Sequence, residues 1–447
     1  MESPTSGPGA GRPTWRFPRA FWTGNAVELF ERAAYYGTFI ALAVFLTDVV
    51  GFGDVAAGWI GAAFSSSIYL LPFVTGALSD RLGFRFSLLL AFTLLAAGYG
   101  GLALFPTRGA VPFSLALVAV GGAFVKPVIT GTVARSSDSA SRARAFSIFY
   151  MMVNIGSFTG KTVARPVRAL LGVGSVPLYS AFAALAALLL TAFLFFPKEN
   201  GEERPRSVAQ SLEGLAVVLR NGRFLALILI TAGFWAIQGQ LYASMPKYVL
   251  RLVGPEASPE WYANVNPLVV VLLVVPVTHL VRRISPVASI GVALGLIPLS
   301  ALLMSLSGHL AGPVRLCGAS LHPVTVLMVA GIALQGLAEC FLSPRYLEFA
   351  SRQAPPGQEG LYMGYAHLNT FFAWLFGFAL SGYLLEAFCP DPKVLAARGL
   401  SGEALAAAYA HAHYLWYAFA GVGLLAFLGL LVFAAVTRPR REEKSKK

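Results

Sequence analysis

The sequence has few charged residues for its length. Of its 447 residues, only 12% are charged and 56% are hydrophobic, whereas an ordinary soluble domain has roughly 25% charged residues. So few charges cannot solvate the surface of a soluble protein of this size. They also exclude an intrinsically disordered chain, which would be polar and rich in charge. The composition therefore indicates a protein whose solvent is mostly lipid.

Several chemical signatures are missing as well. The three cysteines form no spacing motif, so the sequence indicates neither a disulfide framework nor a zinc site. It has no Walker A loop, which argues against ATP-driven transport. It also lacks a His-Glu-x-x-His segment and a G-x-S-x-G element, which argues against a membrane enzyme. We therefore expect no enzymatic activity, no metal and no cofactor.

Apolar segments long enough to cross a bilayer, which takes about 20 residues, occur twelve times. They predict an all-α integral membrane protein with a cytoplasmic tail (1–19), a six-helix bundle (20–196), a cytoplasmic linker (197–223), a second six-helix bundle (224–437) and a basic tail (438–447). Within the linker, Val208 to Arg220 is amphipathic, and we expect it to lie along the inner membrane surface. The twelve segments are roughly 20–48, 57–79, 84–106, 111–134, 143–170, 177–196, 224–246, 261–281, 286–308, 323–344, 360–387 and 406–437.

The basic residues are distributed unequally between the two sides of this predicted topology. Of 34 Lys and Arg residues, 23 fall in the tails and the connections on one side, and eight fall on the other. Because cytoplasmic segments carry the excess of positive charge, both termini are predicted to be cytoplasmic. The net charge of +13 is thereby explained by topology, and we expect the lipid bilayer of a cell membrane as partner and no nucleic acid.

Three basic residues remain inside the predicted spans: Arg32, Lys126 and Lys161. Ionisable groups in hydrocarbon are costly, so they usually face a watery cavity or a partner. In the first span, Glu28 and Glu31 recur with Arg32 at helical spacing, which places two carboxylates and a guanidinium on one face. Buried ion pairs that only fix helix packing are one explanation. We favour a polar cavity that binds a charged solute and titrates a proton.

A cavity of this kind would link substrate binding to protonation. A carboxylate beside Arg32 stays ionised, whereas a carboxylate that loses this partner in a dry pocket gains a proton more readily. If a substrate carboxylate competes for Arg32, substrate and proton favour the same conformational change, as symport requires.

These residues resemble the signatures of the proton-dependent oligopeptide transporters, a branch of the major facilitator superfamily. The segment from Glu28 to Tyr36 is similar to that family's ExxERFxYY motif, with Ala33 in place of Phe, and the matches continue in order as far as residue 364. The other matching positions are Gly76 to Arg85, Lys126, Phe149 to Ser157, Phe234-Trp235, Gln240, Asn266-Pro267, Glu339 to Pro344, Ala354-Pro355 and Met363-Gly364.

The resemblance implies a major facilitator fold and proton-coupled symport of di- and tripeptides by alternating access. The substrate would bind at the bilayer midplane between the two bundles, and a proton gradient would supply the energy. The implied substrate-binding residues are Arg32, Tyr35, Tyr36, Tyr69, Lys126, Asn154, Trp235, Asn266, Glu339 and Ser343. The implied proton-coupling residues are Glu28, Glu31, Arg32 and Glu339. The implied conformational motif consists of Gly76, Asp80, Arg81, Gly83 and Arg85.

The sequence departs from the family pattern at two positions. Phe39 stands where an Arg is usual, and Gly239 stands where the seventh span usually has an acid. Relatives are thought to close their outer gate with this pair, so we expect a different outer closure here. Lys161 and His367 are possible additional cavity residues. The departures leave an alternative open: the same fold carrying a non-peptide anion or a modified amino acid, as a uniporter or exchanger with weakened proton coupling. A receptor-like scaffold is a further alternative, disfavoured by the intramembrane charges.

Overall fold

The structure is a computed structural model, and it describes residues 16–138, 141–197, 208–310, 312–316, 318–354 and 359–437. Most of the predicted N-terminal tail, the first part of the predicted linker and the predicted basic tail 438–447 lie outside these residues. Within them the chain is almost entirely helical, as the long apolar runs and the scarcity of strand signals predict.

The helices follow the predicted apolar segments. In chain order they are α1 (Arg19–Asp48), α2 (Asp54–Leu70), α3 (Pro72–Leu82), α4 (Phe84–Leu104), α5 (Ala110–Arg135), α6 (Arg142–Leu171), α7 (Val176–Leu194), α8 (Val208–Arg220), α9 (Gly222–Gln238), α10 (Gln240–Ala243), α11 (Met245–Leu252), α12 (Pro259–Tyr262), α13 (Val265–Leu280), α14 (Pro286–Ser305), α15 (Pro323–Gln353), α16 (Glu359–Ala366), α17 (Leu368–Phe388), α18 (Pro392–Ala397), α19 (Glu403–Ala408) and α20 (Tyr414–Thr437). Single 3-10 turns lie at Val173–Ser175, Val281–Arg283 and Leu306–Gly308.

The prediction of an all-α chain is confirmed with one small exception. Strands β1 (Val314–Leu316) and β2 (Ala319–Leu321) form an antiparallel hairpin in the connection between α14 and α15. Gly318, at φ +82°, lies in the turn between the strands. Strands of three residues are too short to show the alternation of polar and apolar residues from which a strand is predicted. The predicted amphipathic segment does form a helix, α8, with the bounds expected from the sequence.

Ten helices or continuous helical stretches in the described ranges are long and apolar enough to cross a membrane. The number is eleven if α2 and α3, which meet at a bend of 47° before Pro72, count as one span. The remaining predicted span, the fifth, is the 30-residue helix α6. Helix α6 is as long as a span but is less apolar, since it contains Asn154, Lys161 and several arginines.

One compact unit of the chain comprises Met1–Thr38 and Leu71–Ser211. In it, α4 packs against α5 and α7, and α3 packs against α5. Helix α6 approaches α1 closely through glycine. A Cβ atom at Gly160 would lie 2.3 Å from the Ala33 carbonyl oxygen, a distance that no real Cβ tolerates. Glycine at this position therefore allows α6 to bring its polar face against α1.

The other compact unit comprises Phe39–Leu70 and Leu212–Lys447. Its core includes α14 packed against α15 and α20, and α17 packed against α2 and α9. The end of α1 and the whole of α2, called here hairpin 39–70, belong to this unit. Helix α2 lies very close to α17 at Gly382. A Cβ at this position would lie 2.6 Å from the Asp54 carbonyl oxygen, so only glycine allows this approach.

Candidate functional site

In the unit that begins with Met1, two acids and one base contact each other on one face of α1. Glu28 and Glu31 are buried, with exposed fractions of 2% and 1%. The Arg32 Nε lies 3.4 Å from the Glu28 Oε1 and donates a hydrogen bond to the Glu31 Oε2. The helical spacing seen in the sequence thus brings these three side chains together. A single guanidinium serves two buried carboxylates, so any anion that draws Arg32 away affects both.

Two tyrosines extend this ionic group. The Arg32 guanidinium carbon lies 5.3 Å from the ring centre of Tyr35 and 6.0 Å from that of Tyr36, distances at which a cation is attracted to an aromatic face. The Lys161 Nζ lies 5.5 Å from the Tyr36 ring centre. Lys161 is only 1% exposed, so it is buried in the polar cluster and does not extend to the surface.

Two further predicted residues of this unit differ in their surroundings: Lys126 is exposed near the ionic group, whereas Asn154 bonds to its own helix. Lys126 lies on α5, is exposed, and interacts electrostatically with Arg32, Glu28 and Glu31. Asn154 on α6 donates its amide to the Tyr150 carbonyl oxygen at 2.8 Å. Lys126 is therefore the more accessible cation of the group, and Asn154 is anchored to its own helix.

In the unit that contains α9 to α20, Glu339 on α15 is held by two amides. Gln238 donates its Nε2 to the Glu339 Oε2 at 2.5 Å, and the Asn266 Nδ2 lies 3.4 Å from the same oxygen. Asn266 and Glu339 are both among the predicted substrate-binding residues, and the structure brings them together. Gln238 is not among the predicted residues. Gln240, which matches the family pattern, bonds through its side chain to the Ala236 and Gly377 carbonyl oxygens.

The remaining predicted residues of this unit lie on several elements. Trp235 lies on α9, one turn before Gly239, and its Nε1 is buried without a hydrogen-bond acceptor among the described residues. Ser343 lies one turn after Glu339 on α15 and is partly exposed. His367 is exposed at the junction of α16 and α17. Tyr69, on hairpin 39–70, packs edge-on against Trp374 with ring centres 5.0 Å apart.

Aromatic packing occupies the two positions where the sequence departs from its family pattern. Phe39 is 1% exposed and stacks on Tyr242, Trp374 and Phe378, with ring centres 4.5, 5.2 and 5.7 Å away. A Cβ at Gly239 would lie 3.3 Å from the Trp374 Nε1. The indole thus takes the space beside Gly239, and an aromatic stack replaces any charged pair at these positions.

A buried ionic group that the sequence analysis missed holds hairpin 39–70 to the rest of its unit. The Asp54 Oδ1 accepts from the Lys247 Nζ at 2.8 Å and from the Arg251 Nη2 at 2.9 Å, while the Arg251 Nη1 donates to Oδ2 at 2.9 Å. We call Asp54, Lys247 and Arg251 the Asp54 cluster. Their side chains are 3%, 4% and 6% exposed. A more distant acid, Asp391, lies 3.8 Å from the Arg251 Nη2.

The predicted conformational motif links α3 to its neighbours. Gly83, at φ +82°, ends α3 and precedes α4, a conformation that favours glycine. The Arg135 Nη2 lies 4.0 Å from the Asp80 Oδ1, and the Arg85 Nη2 donates to the Ala192 carbonyl oxygen at 2.8 Å. A Cβ at Gly76 would be 3.6 Å from Pro127. Arg81 lies in the last turn of α3 and is exposed.

Taken separately, the two units offer complementary chemistry. The first holds Arg32 and Lys126, which suit a carboxylate, beside acids that can take up a proton. The second holds the Glu339 carboxylate, which suits an ammonium group. Among the described residues, no three His, Cys, Asp or Glu side chains are arranged to hold a metal ion.

A family model described as Major Facilitator Superfamily matches residues 26–314, well over half of the chain. The chain belongs to the Major Facilitator Superfamily. This membership confirms the predicted fold class, an all-α integral membrane protein with the major facilitator fold, and the prediction of a multi-pass membrane protein.

The curated relatives of this superfamily member are named as permeases, not as enzymes. The chain is 29% identical over 237 residues to dipeptide and tripeptide permease A of Erwinia pyrifoliae, a match that covers 51% of the chain and 46% of the relative. It is 32% identical over 145 residues to the permease of the same name from Proteus mirabilis, which covers 32% and 30%. The chain thus spans about half the length, or less, of the curated relatives it matches.

Solved structures share the fold over nearly the whole chain. A crystal structure of the peptide transporter POT in complex with sulfate is 21% identical, with a TM-score of 0.70 over 95% of each chain. A POT family transporter in complex with 5-aminolevulinic acid is 18% identical, with a TM-score of 0.71 over 94% of this chain and 97% of that one. The resemblance to peptide transporters thus extends from sequence motifs to the fold.

Proposed function

We propose that this superfamily member carries di- and tripeptides across a cytoplasmic membrane in symport with protons, by alternating access. The observation that carries the proposal is the opposite charge of the two intramembrane groups, Arg32 with Lys126 in one unit and Glu339 in the other. A peptide is a zwitterion and supplies one ionic partner for each group. The dipeptide and tripeptide permeases and POT transporters that resemble the chain support this choice of substrate.

The carboxylate of the peptide is assigned to Arg32 and Lys126. Lys126 is exposed, whereas Arg32 already serves Glu28 and Glu31. A carboxylate that binds Lys126 would also attract Arg32, and the two buried glutamates would then lose part of their neutralisation. Uptake of a proton by Glu28 or Glu31 restores the charge balance, which is the physical basis proposed for coupling.

The closure of the outer side is assigned to the docking of hairpin 39–70. With cytoplasmic termini, the connection from α1 to α2 faces outside, and the Asp54 cluster ties this end of the hairpin to α11. The aromatic stack around Phe39 lies on the same hairpin. An ionic layer and an aromatic layer together would close the outer path without the charged pair that Phe39 and Gly239 replace.

A competition assay tests the substrate class. Purified protein in proteoliposomes is allowed to take up a labelled dipeptide in the presence of unlabelled dialanine, trialanine, free alanine or citrate. We expect dialanine and trialanine to block uptake, and free alanine and citrate to have little effect. No uptake of the labelled dipeptide, or uptake that neither unlabelled peptide reduces, would contradict peptide transport; uptake of labelled citrate under the same conditions would support the anion-carrier alternative.

A further inference from the structure

Gln238 makes its one hydrogen bond in the described structure with the carboxylate that we assign to the substrate ammonium group. Its Nε2 donates to the Glu339 Oε2 at 2.5 Å. The residue is only 8% exposed, and its Oε1 is buried without a hydrogen-bond donor among the described residues. The orientation of the amide is therefore set by Glu339. In the reverse orientation the Gln238 Oε1 would face the Glu339 Oε2, an arrangement that is repulsive for an ionised Glu339 because neither oxygen then carries a hydrogen.

The backbone around Gly239 fixes the position of Gln238. Helices α9 and α10 are nearly continuous here, because Gly239 has helical dihedral angles (φ −58°, ψ −20°) and its N–H donates to the Trp235 carbonyl oxygen at 2.8 Å. Gln240 ties this segment to its surroundings by donating to the Ala236 and Gly377 carbonyl oxygens and accepting from the Ser244 hydroxyl. With the backbone anchored on both sides, the Gln238 amide is presented to Glu339 from a rigid element, as precise positioning requires.

The two amides act on the same carboxylate oxygen. Gln238 donates to the Glu339 Oε2, and the Asn266 Nδ2 approaches that oxygen at 3.4 Å. Donors directed at a carboxylate favour its ionised form, and the effect is strongest where water is scarce. A neutral Glu339 would leave the close Gln238 donor with a much weaker acceptor.

We propose, on the basis of the function proposed above, that Gln238 is a positioning residue that keeps Glu339 ionised and oriented as a constant acceptor for the substrate ammonium group. Glu339 then takes no part in carrying the proton. The coupling proton is left to Glu28 and Glu31, so the two units have separate roles: one recognises the ammonium group, and the other couples proton uptake to carboxylate binding. This revises the expectation that Glu339 serves both purposes.

The Gln238→Glu substitution tests the proposal directly. It places a second carboxylate within hydrogen-bonding distance of Glu339, and two such groups share a proton and titrate together. The preference for an ammonium group should then depend on pH. The preference is measured as the ratio of Kd for N-acetyl-dialanine to Kd for dialanine, by calorimetry on the purified full-length protein at pH 5.5 and pH 7. The acetyl group has the same bulk at both pH values, so its steric effect cancels when the ratio at pH 7 is compared with the ratio at pH 5.5.

In the wild type we expect this ratio to favour dialanine and to stay nearly constant, because Glu339 is ionised throughout and a peptide amine, with a pKa of about 7.7, is largely protonated at both pH values. In Gln238→Glu the ratio should rise by about tenfold from pH 5.5 to pH 7, as the shared proton is lost. A ratio in this variant as constant as that of the wild type would overturn the proposal.

The Gln238→Leu substitution separates positioning from packing. It removes the donor and keeps most of the volume, so the ratio should fall by about tenfold at both pH values, the usual loss for a hydrogen bond to a charged group. The matched control is Gln335→Leu. Gln335 is a buried glutamine on α15, 1% exposed, and it makes no hydrogen bond with Glu339. The Kd ratio of the Gln335→Leu variant should therefore equal that of the wild type.

Equal losses in Gln238→Leu and Gln335→Leu would contradict a positioning role. A wild-type protein that binds dialanine without preferring it to the acetylated peptide would refute the ammonium role of Glu339 and the proposal with it. Absence of any peptide binding by the wild type would instead refute the proposed function. The two failures are therefore distinguishable.

Discussion

Neutralising Asp54 should release hairpin 39–70 from the rest of its unit. The Asp54 carboxylate accepts three hydrogen bonds of 2.8–2.9 Å from Lys247 and Arg251, and all three side chains are at least nine-tenths buried. Removing one partner of a buried ion pair costs about 3–5 kcal/mol, because the remaining charges stay buried without compensation. In Asp54→Asn the side-chain oxygen can still accept hydrogen bonds but carries no charge, so Arg251 would keep Asp391, at 3.8 Å, as a charged partner, together with the Cys389 carbonyl oxygen as an acceptor.

The expected shift is large enough to measure as accessibility. A cost of about 3 kcal/mol in the docked state raises the undocked fraction about 100-fold. Ala57 lies on α2, is 4% exposed and faces a cavity beside Asp54. A single cysteine at this position, in a background without the native cysteines, should react with a membrane-impermeant maleimide far faster in Asp54→Asn than in the parent protein.

Asp391→Asn is the matched control for this experiment. It makes the same chemical change and has the same Arg251 partner, but at 3.8 Å and with a more exposed side chain. Its cost should be about 1 kcal/mol or less, with a correspondingly small change in labelling rate. Equal labelling rates in the two variants would refute the assignment of the Asp54 cluster as a structural lock on the hairpin.

Three further predictions concern other parts of the molecule. Glu31→Gln should abolish peptide accumulation driven by a proton gradient while leaving peptide exchange partly intact; unchanged accumulation in uptake assays would contradict the coupling role. Lys126→Ala should weaken binding of free dipeptides more than of C-terminally amidated ones, since only the former carry a carboxylate, and equal losses of affinity would remove Lys126 from that role. Burial, aided by His309 and His411, lowers the pKa of His413, so the unfolded chain binds the proton more readily. The stabilising effect of neutral His413 is therefore present above about pH 6.5 and is lost as the pH falls. His413→Gln should reduce the drop in Tm between pH 7.5 and pH 5. An identical drop in the wild type and the variant would argue against a stabilising effect of neutral His413.

Local sequence patterns were sufficient to predict the helices and one half of the candidate site. On α1, Glu28 lies four residues before Arg32, and Glu31 lies directly before it. Their contacts with Arg32 therefore follow from helical geometry. The Asp54 cluster could not be predicted in this way, because Asp54 and Lys247 are 193 residues apart in the sequence. Lys247 directly follows the predicted seventh span (224–246) and is one of the eight basic residues on the outer side, a position that does not indicate a buried partner.

The role of Gln238 also depended on tertiary structure. Glu339 lies 101 residues further along the chain, and a motif-based interpretation favours Gln240, two residues away from Gln238. Residues two apart on a helix do not share a face, so the two glutamines point to different partners. Trp374 shows the same limitation: its packing beside Gly239 and on Phe39 explains both departures from the family pattern, and neither departure alone identifies it.

Accumulation of a labelled dipeptide by purified protein in proteoliposomes, with and without an inward proton gradient, tests the proposed peptide–proton symport most directly. We expect concentration of the dipeptide above its external level only when the gradient is imposed, and collapse of the accumulated dipeptide on addition of a protonophore. Uptake that reaches only the external concentration, with or without the gradient, would contradict proton-coupled symport and favour a uniporter. Failure to take up the dipeptide under either condition would contradict peptide transport itself.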